Sequence, residues 1–217
     1  MKKNLVVFLR VTFVLLAMLA ATYFALKFYY LTESKSGIEK ALLFSDAPVV
    51  GSEKNPFTIV EFFDYRCPHC STLNKILMEA VGDDIRSTTK IILRPVVIVD
   101  QQSYLIGQFV LALDSQKKGE TIALHKELMA LPAVPTYETV KAMAGARGLN
   151  VEQAEKDAAR FQSTMIENTA LAQTIGFRSV PALVIGDKGY MPLYHMPGIN
   201  ELRLMMIDAK TRLKITS

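Results

Sequence analysis

The stretch that most constrains the fold is residues 57–77, FTIVEFFDYRCPHCSTLNKIL, where an apolar run leads into a Cys-Pro-His-Cys turn. The β-branched and aromatic residues of Phe57–Phe63 favour a buried strand. Pro68 suits the first position of a helix, where the N–H that proline lacks has no intrahelical partner in any case. The stretch therefore predicts a strand, a turn and a helix whose N-cap is Cys67.

A sulfur at a helix N-cap meets free backbone N–H groups and the positive end of the helix dipole. Both favour the thiolate, and cysteines in such turns have pKa values of roughly 3.5 to 7.5 instead of about 8.5. We expect the N–H groups of His69 and Cys70 to face the Cys67 sulfur, and the His69 side chain to add a donor or a positive charge. Arg66 adds a charge nearby, although we expect its side chain to be solvated.

The spacing of Cys67 and Cys70 brings the two sulfurs within disulfide range, so the pair predicts a dithiol–disulfide redox centre. The alternative is a structural disulfide. These are the only two cysteines of the chain, which leaves none for further bridges or for a four-cysteine zinc site. His125 and His195 lack metal-ligand spacing, and we expect each to be structural or exposed. No metal or other cofactor is expected.

The N-terminal segment combines a basic start with an apolar run, Val11–Leu26. It is either an uncleaved membrane anchor or a cleaved signal peptide. With Arg10 and Lys27 reaching towards the interfaces, the segment Leu5–Leu31 is long enough to span a membrane, and no clean cleavage site follows the run. We therefore favour an anchor, with the rest of the chain on the extracytoplasmic, periplasmic side. Soluble periplasmic protein after cleavage is the alternative.

The net charge of +4 belongs to this N-terminal region, because residues 1–40 carry six Lys or Arg against two Glu. The basic pI therefore gives no indication of nucleic-acid binding. A polar linker, beginning with TESKSG at residues 32–37, follows the apolar segment.

The remaining pattern places strands on both sides of a long helical region. We expect strands at Val49–Val50, Lys90–Val99 and Ala182–Ile185, an edge strand or hairpin at Gly189–Pro197, and a closing helix at Ile199–Leu213. A small sheet domain interrupted by helices fits this order. The predicted parts are an anchor at 1–31, a linker at 32–48, a sheet domain at 49–100 and 176–217, and a helical insertion at 101–175.

Two motifs carry a resemblance to a known family. The run EFFDYRCPHC (residues 61–70), followed by RSVPALVIG (residues 178–186), resembles the DsbA family of thiol:disulfide oxidoreductases. The resemblance extends from about Val49 to the C-terminus. It implies an α/β, thioredoxin-like fold with an inserted all-helical domain, preceded here by an N-terminal transmembrane helix.

The resemblance also implies roles for single residues. The Val180–Pro181 peptide bond would be cis and lie beside the Cys67 sulfur, and the Val180 backbone would pair with an extended substrate; the alternative is an ordinary strand-edge proline. Glu61 would be a buried carboxyl that serves proton transfer near Cys70. The alternative for Glu61 is a position on the solvent side of the strand.

The activity implied is a thiol:disulfide oxidase that introduces disulfides into reduced secreted proteins. The Pro-His dipeptide between the cysteines and Val180 before the proline favour an oxidase. A quinone-linked membrane oxidase resembling DsbB is the expected partner, and we expect a monomer. Two alternatives remain: a disulfide isomerase or reductase, for which the segment Thr32–Val50 is short as a dimerisation module, and an anchored chaperone-like binding module.

Overall fold

The computed structural model describes residues 2–43, 47–186 and 191–215. Met1 and residues 44–46, 187–190 and 216–217 lie outside the described residues. The helices are α1 (Lys2–Leu43), α2 (Pro68–Ala80), α3 (Asp83–Arg86), α4 (Gln101–Gln116), α5 (Thr121–Ala130), α6 (Tyr137–Ala146), α7 (Val151–Asp157), a 3-10 turn (Ala158–Phe161), α8 (Gln162–Ile175) and α9 (Ile199–Arg212). The strands are β1 (Val49–Val50), β2 (Phe57–Phe63), β3 (Thr89–Pro95), β4 (Ala182–Ile185) and β5 (Met191–Leu193).

Residues 1–40 and 41–217 form two separate compact units. The first consists of helix α1, in which Thr12–Tyr29 is the one stretch among the described residues that is long and apolar enough to cross a membrane. The helix continues through Thr32–Gly37, where the sequence predicts a linker. This stretch contains no proline, and extending an existing helix costs far less than starting one. The helix therefore crosses six mostly polar residues without a break.

The second unit is built on a five-stranded sheet of order β1-β3-β2-β4-β5. The central pair, β2 and β3, is parallel, and the other neighbours are antiparallel. Every residue of β2 is buried, as expected of a central strand covered on both faces. The strand ends at Phe63, four residues before Cys67, so the turn that carries Cys67 starts from the buried centre of the sheet.

The observed strands differ from the predicted ones at two places. Strand β3 ends at Pro95 instead of Val99, because the Asp64 carboxylate takes the backbone N–H groups of Ile98 and Val99, each at 3.0 Å, away from any further pairing. The edge strand Met191–Leu193 lies within the predicted hairpin, whose first two residues, 189 and 190, lie outside the described residues. Strands β2 and β4 have the predicted bounds.

Helices α4 to α8 follow β3 and precede β4, which is the predicted helical insertion. Helix α4 begins at Asp100, whose side chain forms a capping box with Ser103. Helix α8 ends at Gly176, whose φ of 105° is readily adopted only by glycine. Helix α2 packs against α5 of the insertion and against α9, so the cysteine turn lies where the sheet domain meets the insertion.

Strand alternation decides which way Glu61 points. Successive side chains of a strand project to opposite faces. Phe57, Ile59 and Phe63, which share the parity of Glu61, belong to the core cluster that also contains the buried face of α2. Phe62 projects to the other face and packs against Phe177. Glu61 therefore enters the core beneath α2, and its alternative placement on the solvent side of the strand is excluded.

Candidate active site

Cys67 is the N-cap of α2, and Pro68 occupies the first turn, as predicted. The sulfur is half-buried, and both cysteines are free thiols. The pKa of Cys67 falls from 9.0 to about 6, chiefly because the Cys70 side chain donates a hydrogen bond to it. The backbone N–H groups of Cys70 and His69 lower it further, while burial and the charge of Asp64 oppose them. Cys67 is therefore mostly a thiolate at neutral pH.

Cys70 has the opposite character. Its side chain is fully buried, and its sulfur accepts the backbone N–H of Asp64 at 3.5 Å. Its pKa is raised, first because its proton is shared with the Cys67 sulfur and second because of burial. The pair therefore consists of an accessible thiolate and a protonated inner thiol.

The Val180–Pro181 peptide bond is cis and lies beside Cys67. The Cys67 Sγ is 3.8 Å from the Val180 carbonyl oxygen, across 113 residues of sequence. Val180 lines a cavity of about 460 Å³ together with Val96, Ile98 and Phe177. Cys67 itself lines a cavity of about 270 Å³ on the side of the insertion. One cavity thus opens at Cys67 and another at Val180, whose carbonyl oxygen lies near the sulfur.

Glu61 has no exposed surface. Its Oε2 accepts a hydrogen bond from Asn74 Nδ2 at 3.2 Å, while its Oε1 has no hydrogen-bond partner among the described residues. Burial raises the pKa of Glu61 from 4.5 to about 8, although the Asn74 bond opposes this. The charge of Glu61 in turn contributes to the raised pKa of Cys70. The two groups are therefore close enough for the ionisation of one to affect the other.

Two residues that the sequence reading assigned no role in the site extend this network. Asn74 also lies 3.1 Å from His125 Nε2, and His125 Nδ1 lies 3.3 Å from the Tyr65 hydroxyl. Asn74 follows Cys70 by four residues, so helical periodicity places it on the same inward face and would have identified it. His125 carries no such signal, because it lies on α5, 51 residues further along the chain.

Arg66 differs from the expectation of a solvated side chain. Its guanidinium pairs with Asp100 at 2.8 Å and donates to the Pro135 carbonyl oxygen at 2.6 Å. Arg66 therefore joins the cysteine turn to the helical insertion. The Asp64 carboxylate accepts the Arg66 backbone N–H at 2.9 Å, so Asp64 shapes the turn. The His69 side chain is exposed, and its part in the geometry comes from the backbone.

The arrangement suits thiol–disulfide exchange. A thiolate with a lowered pKa is both a nucleophile and a good leaving group, and a buried carboxyl lies close enough to the inner thiol for its charge to raise the pKa of that thiol. Across residues 2–43, 47–186 and 191–215, no three His, Cys, Asp or Glu side chains converge in the way a metal site requires.

Comparisons with known proteins agree with this geometry. The sequence matches the thioredoxin family over residues 45–196. No curated protein matches the chain significantly. A thioredoxin-like oxidoreductase from Silicibacter pomeroyi is 26% identical, with a TM-score of 0.69, and the match covers 82% of this chain and 98% of that one.

Two more distant structures share the fold. The thiol-disulfide exchange protein alpha-DsbA2 from Wolbachia pipientis is 19% identical with a TM-score of 0.71, covering 81% of this chain and 94% of that one. A periplasmic thioredoxin-like protein from Salmonella enterica serovar Typhimurium is 23% identical with a TM-score of 0.66, covering 80% and 96%. The family match spans most of the chain and includes the cysteine turn and the cis-proline loop. The chain therefore belongs to the thioredoxin family, within which it has the DsbA-like form of a thioredoxin fold with a helical insertion.

Proposed function

We propose that the protein is a thiol:disulfide oxidase that acts through the Cys67–Cys70 disulfide. A client thiolate attacks the Cys67 sulfur, and Cys70 leaves as a thiolate that takes a proton from Glu61. A second client thiolate then attacks the client sulfur of the mixed disulfide, and Cys67 leaves as a thiolate. The client loses two electrons and gains a disulfide, and the enzyme ends as the dithiol.

The observation that carries the proposal is the stabilised Cys67 thiolate. At pH 7 a thiol with a pKa of about 6 is about nine-tenths ionised, whereas one with a pKa of 9.0 is almost wholly protonated. The reduced form is thereby favoured by about tenfold, which for a two-electron couple raises the reduction potential by about 30 mV. Solvent screening of a half-exposed sulfur makes this an upper value. Stabilising the reduced form makes the disulfide a stronger oxidant.

The surroundings of Cys67 support a protein client. The Val180 carbonyl presents a backbone acceptor to an extended chain, and one cavity is lined by Val180 and another by Cys67. Pro68 and His69 between the cysteines, and Val180 before Pro181, are the residues that favour an oxidase in the DsbA-like family. Reduced or unfolded secreted proteins are therefore the proposed clients.

The location follows from helix α1. We infer that its apolar stretch Thr12–Tyr29 is an uncleaved anchor in the cytoplasmic membrane, with the sheet domain on the periplasmic side. The periplasmic thioredoxin-like protein of Salmonella supports this compartment. A quinone-linked membrane oxidase of the DsbB type would then regenerate the disulfide.

A redox titration tests the proposal. The protein is equilibrated with glutathione buffers, and the reduced fraction is read by mass-tagging of thiols, since the chain contains no tryptophan for a fluorescence signal. We expect a potential above about −270 mV, the value typical of thioredoxin, and displaced from it towards about −120 mV, the value typical of DsbA. A reduction potential equal to that of thioredoxin would rule out the proposed oxidase activity. Cys67→Ala is the control, because it leaves Cys70 as an unpaired thiol.

A second candidate, a disulfide isomerase or reductase, has one observation in its favour. Helix α1 continues for 14 residues beyond Tyr29, so the N-terminal unit has room for a self-association element that a short linker would lack. An isomerase would be found reduced in cells, whereas an oxidase would be found as the disulfide. If Cys67→Ala retained full activity in cells, the oxidase and the isomerase or reductase would both be rejected in favour of an anchored binding module.

A further inference from the structure

His125 is a buried imidazole that the exchange reaction described above does not use. It lies on α5 with 1% of its surface exposed, and its ring packs against the rings of Phe63 and Tyr65. Burial and, to a smaller extent, the charge of Lys126 lower its pKa to about 3. The ring is therefore neutral at every pH at which thiol–disulfide exchange proceeds.

The hydrogen bonds of Asn74 determine the tautomer of this ring. The amide nitrogen lies 3.2 Å from Glu61 Oε2 and 3.1 Å from His125 Nε2. A primary amide nitrogen carries two N–H donors, so it donates to both neighbours. His125 Nε2 is consequently an acceptor, and the ring proton lies on Nδ1, facing the Tyr65 hydroxyl at 3.3 Å.

We propose that His125 is a positioning residue for proton transfer at Cys70. By accepting from Asn74, it holds the amide with its N–H towards Glu61 Oε2 and leaves Oε1 free to exchange a proton with the inner thiol. The proposal rests on thiol–disulfide exchange at Cys67 and Cys70 and on Glu61 as its proton partner.

The orientation of the amide matters because its two ends favour opposite states of Glu61. An N–H stabilises the carboxylate, whereas the amide oxygen would accept the proton of the neutral acid and stabilise that form. Without an acceptor at the position of His125 Nε2, the Asn74 amide is free to turn over. Glu61 would then hold its proton more tightly, so that at a given pH less of it would be present as the carboxylate that accepts the Cys70 proton.

The residues opposite Glu61 in the sheet carry no charge, so in this proposal the protonation of Glu61 is controlled by Asn74 and, through it, by His125. Glu61 is opposite Leu93 and Leu183 on the neighbouring strands, which bring no charge. The titratable groups that act on the network are Cys70 on α2, Tyr65 in the turn, Asp114 through its charge on Tyr65, and Lys126 through its charge on His125.

The oxidation of the reduced protein by oxidised glutathione separates the two steps. In the first, the Cys67 thiolate attacks the glutathione disulfide, forms a mixed disulfide and releases one glutathione. In the second, Cys70 gives its proton to the Glu61 carboxylate and attacks the Cys67 sulfur, and the second glutathione leaves. Acid quenching followed by mass spectrometry of the intact protein follows both steps, and their rates are measured across pH 4 to 10.

His125→Leu is expected to move the pH midpoint of the second step upward by about one unit, which slows that step about tenfold below the midpoint. The first step should be unchanged. His125→Gln should behave like the wild type, because its side-chain oxygen reaches the place of Nε2. His125→Asn is too short to do so and should behave like His125→Leu. If His125→Leu does not fold, the Gln and Asn variants, which differ by one methylene, decide the matter.

A double substitution tests whether His125 acts through Asn74. Asn74→Ala should raise the midpoint of the second step, and adding His125→Asn should move it no further. An additional shift in the double variant, or the same midpoint for His125→Asn and His125→Gln, would overturn the proposal. Absence of the first step in the wild type would instead overturn the proposed exchange at Cys67.

Discussion

The Cys70 side chain is the largest single stabiliser of the Cys67 thiolate, and replacing Cys70 tests this directly. Three contributions lower the pKa of Cys67: the Cys70 side chain, which is the largest, and the backbone N–H groups of Cys70 and His69. The net change is from 9.0 to about 6 against the opposing effects of burial and Asp64. The three contributions together must therefore lower the pKa of Cys67 by more than about three units, and the largest of them by more than about one unit.

The perturbation is Cys70→Ala, with Cys70→Ser as its matched control. Alanine removes the donor but keeps both backbone N–H groups, so the pKa of Cys67 should rise from about 6 by more than about one pH unit. Serine keeps an O–H donor at the same place, and its Cys67 should titrate close to the wild-type value. Both replacements are uncharged, so the helix N-terminus and its dipole stay unchanged in the two variants.

The assay is the rate of Cys67 alkylation by iodoacetamide as a function of pH, read by mass spectrometry of the intact protein. Cys70 remains protonated across this range because its hydrogen bond to the Cys67 sulfur and, second, burial raise its pKa, so in the wild type the midpoint belongs to Cys67. A Cys70→Ala midpoint that stays near 6 would refute the reasoning and assign the thiolate to the helix N-terminus alone. Equal rises in the Ala and Ser variants would refute it as well, since packing would then be the cause.

Three further predictions concern the fold around the site. Because the folded protein keeps the Glu61 proton up to a pKa of about 8 while the unfolded chain loses it near 4.5, the wild type should lose about 3 kcal/mol of unfolding free energy between pH 4.5 and 7. Glu61→Gln should abolish that loss in urea unfolding of the reduced protein, and equal pH slopes would contradict the burial argument. Arg66→Ala should lower the free energy of unfolding by about 1.5 to 3 kcal/mol and speed amide hydrogen exchange near Pro135, because it removes the donor to the Pro135 carbonyl oxygen. Arg66→Lys should give intermediate values. Unchanged exchange would show that the guanidinium does not hold the insertion. Gly51→Ala should destabilise the protein more than Gly119→Ala, by about 1 kcal/mol or more in chemical unfolding. Both glycines have positive φ, but only a Cβ at Gly51 would meet a backbone carbonyl oxygen, at 2.6 Å. Equal losses of stability in the two variants would show that this contact relaxes freely.

The redox centre was predictable because its physics is local. The strand, the turn, Cys67 at the N-cap and Pro68 behind it lie within 21 residues, and each follows from propensity, capping and spacing. The Cys67–Cys70 spacing predicts an exchange pair whatever the rest of the chain does. The cis form of the bond before Pro181 came instead from the likeness to a family, since no local pattern distinguishes it from a trans proline at a strand edge.

Where the prediction was wrong, the deciding contact came from a distant part of the chain. Arg66 looked solvated because its partners, Asp100 and Pro135, are 34 and 69 residues away. Strand β3 ends early because Asp64, on another strand's turn, captures the backbone that would have extended it.

The sequence by itself thus determined the chemistry of the outer sulfur, because the Cys70 thiol and the helix start that lower the pKa of Cys67 lie within three residues of it. Only the tertiary structure decided which polar groups lie behind the inner sulfur. Glu61, Asn74 and His125 meet because β2, α2 and α5 pack together, and hydrogen bonds across 13 and 51 residues exist only once that packing excludes water. Burial, which no pattern of residues states directly, makes Glu61 hold a proton at neutral pH while His125 holds none.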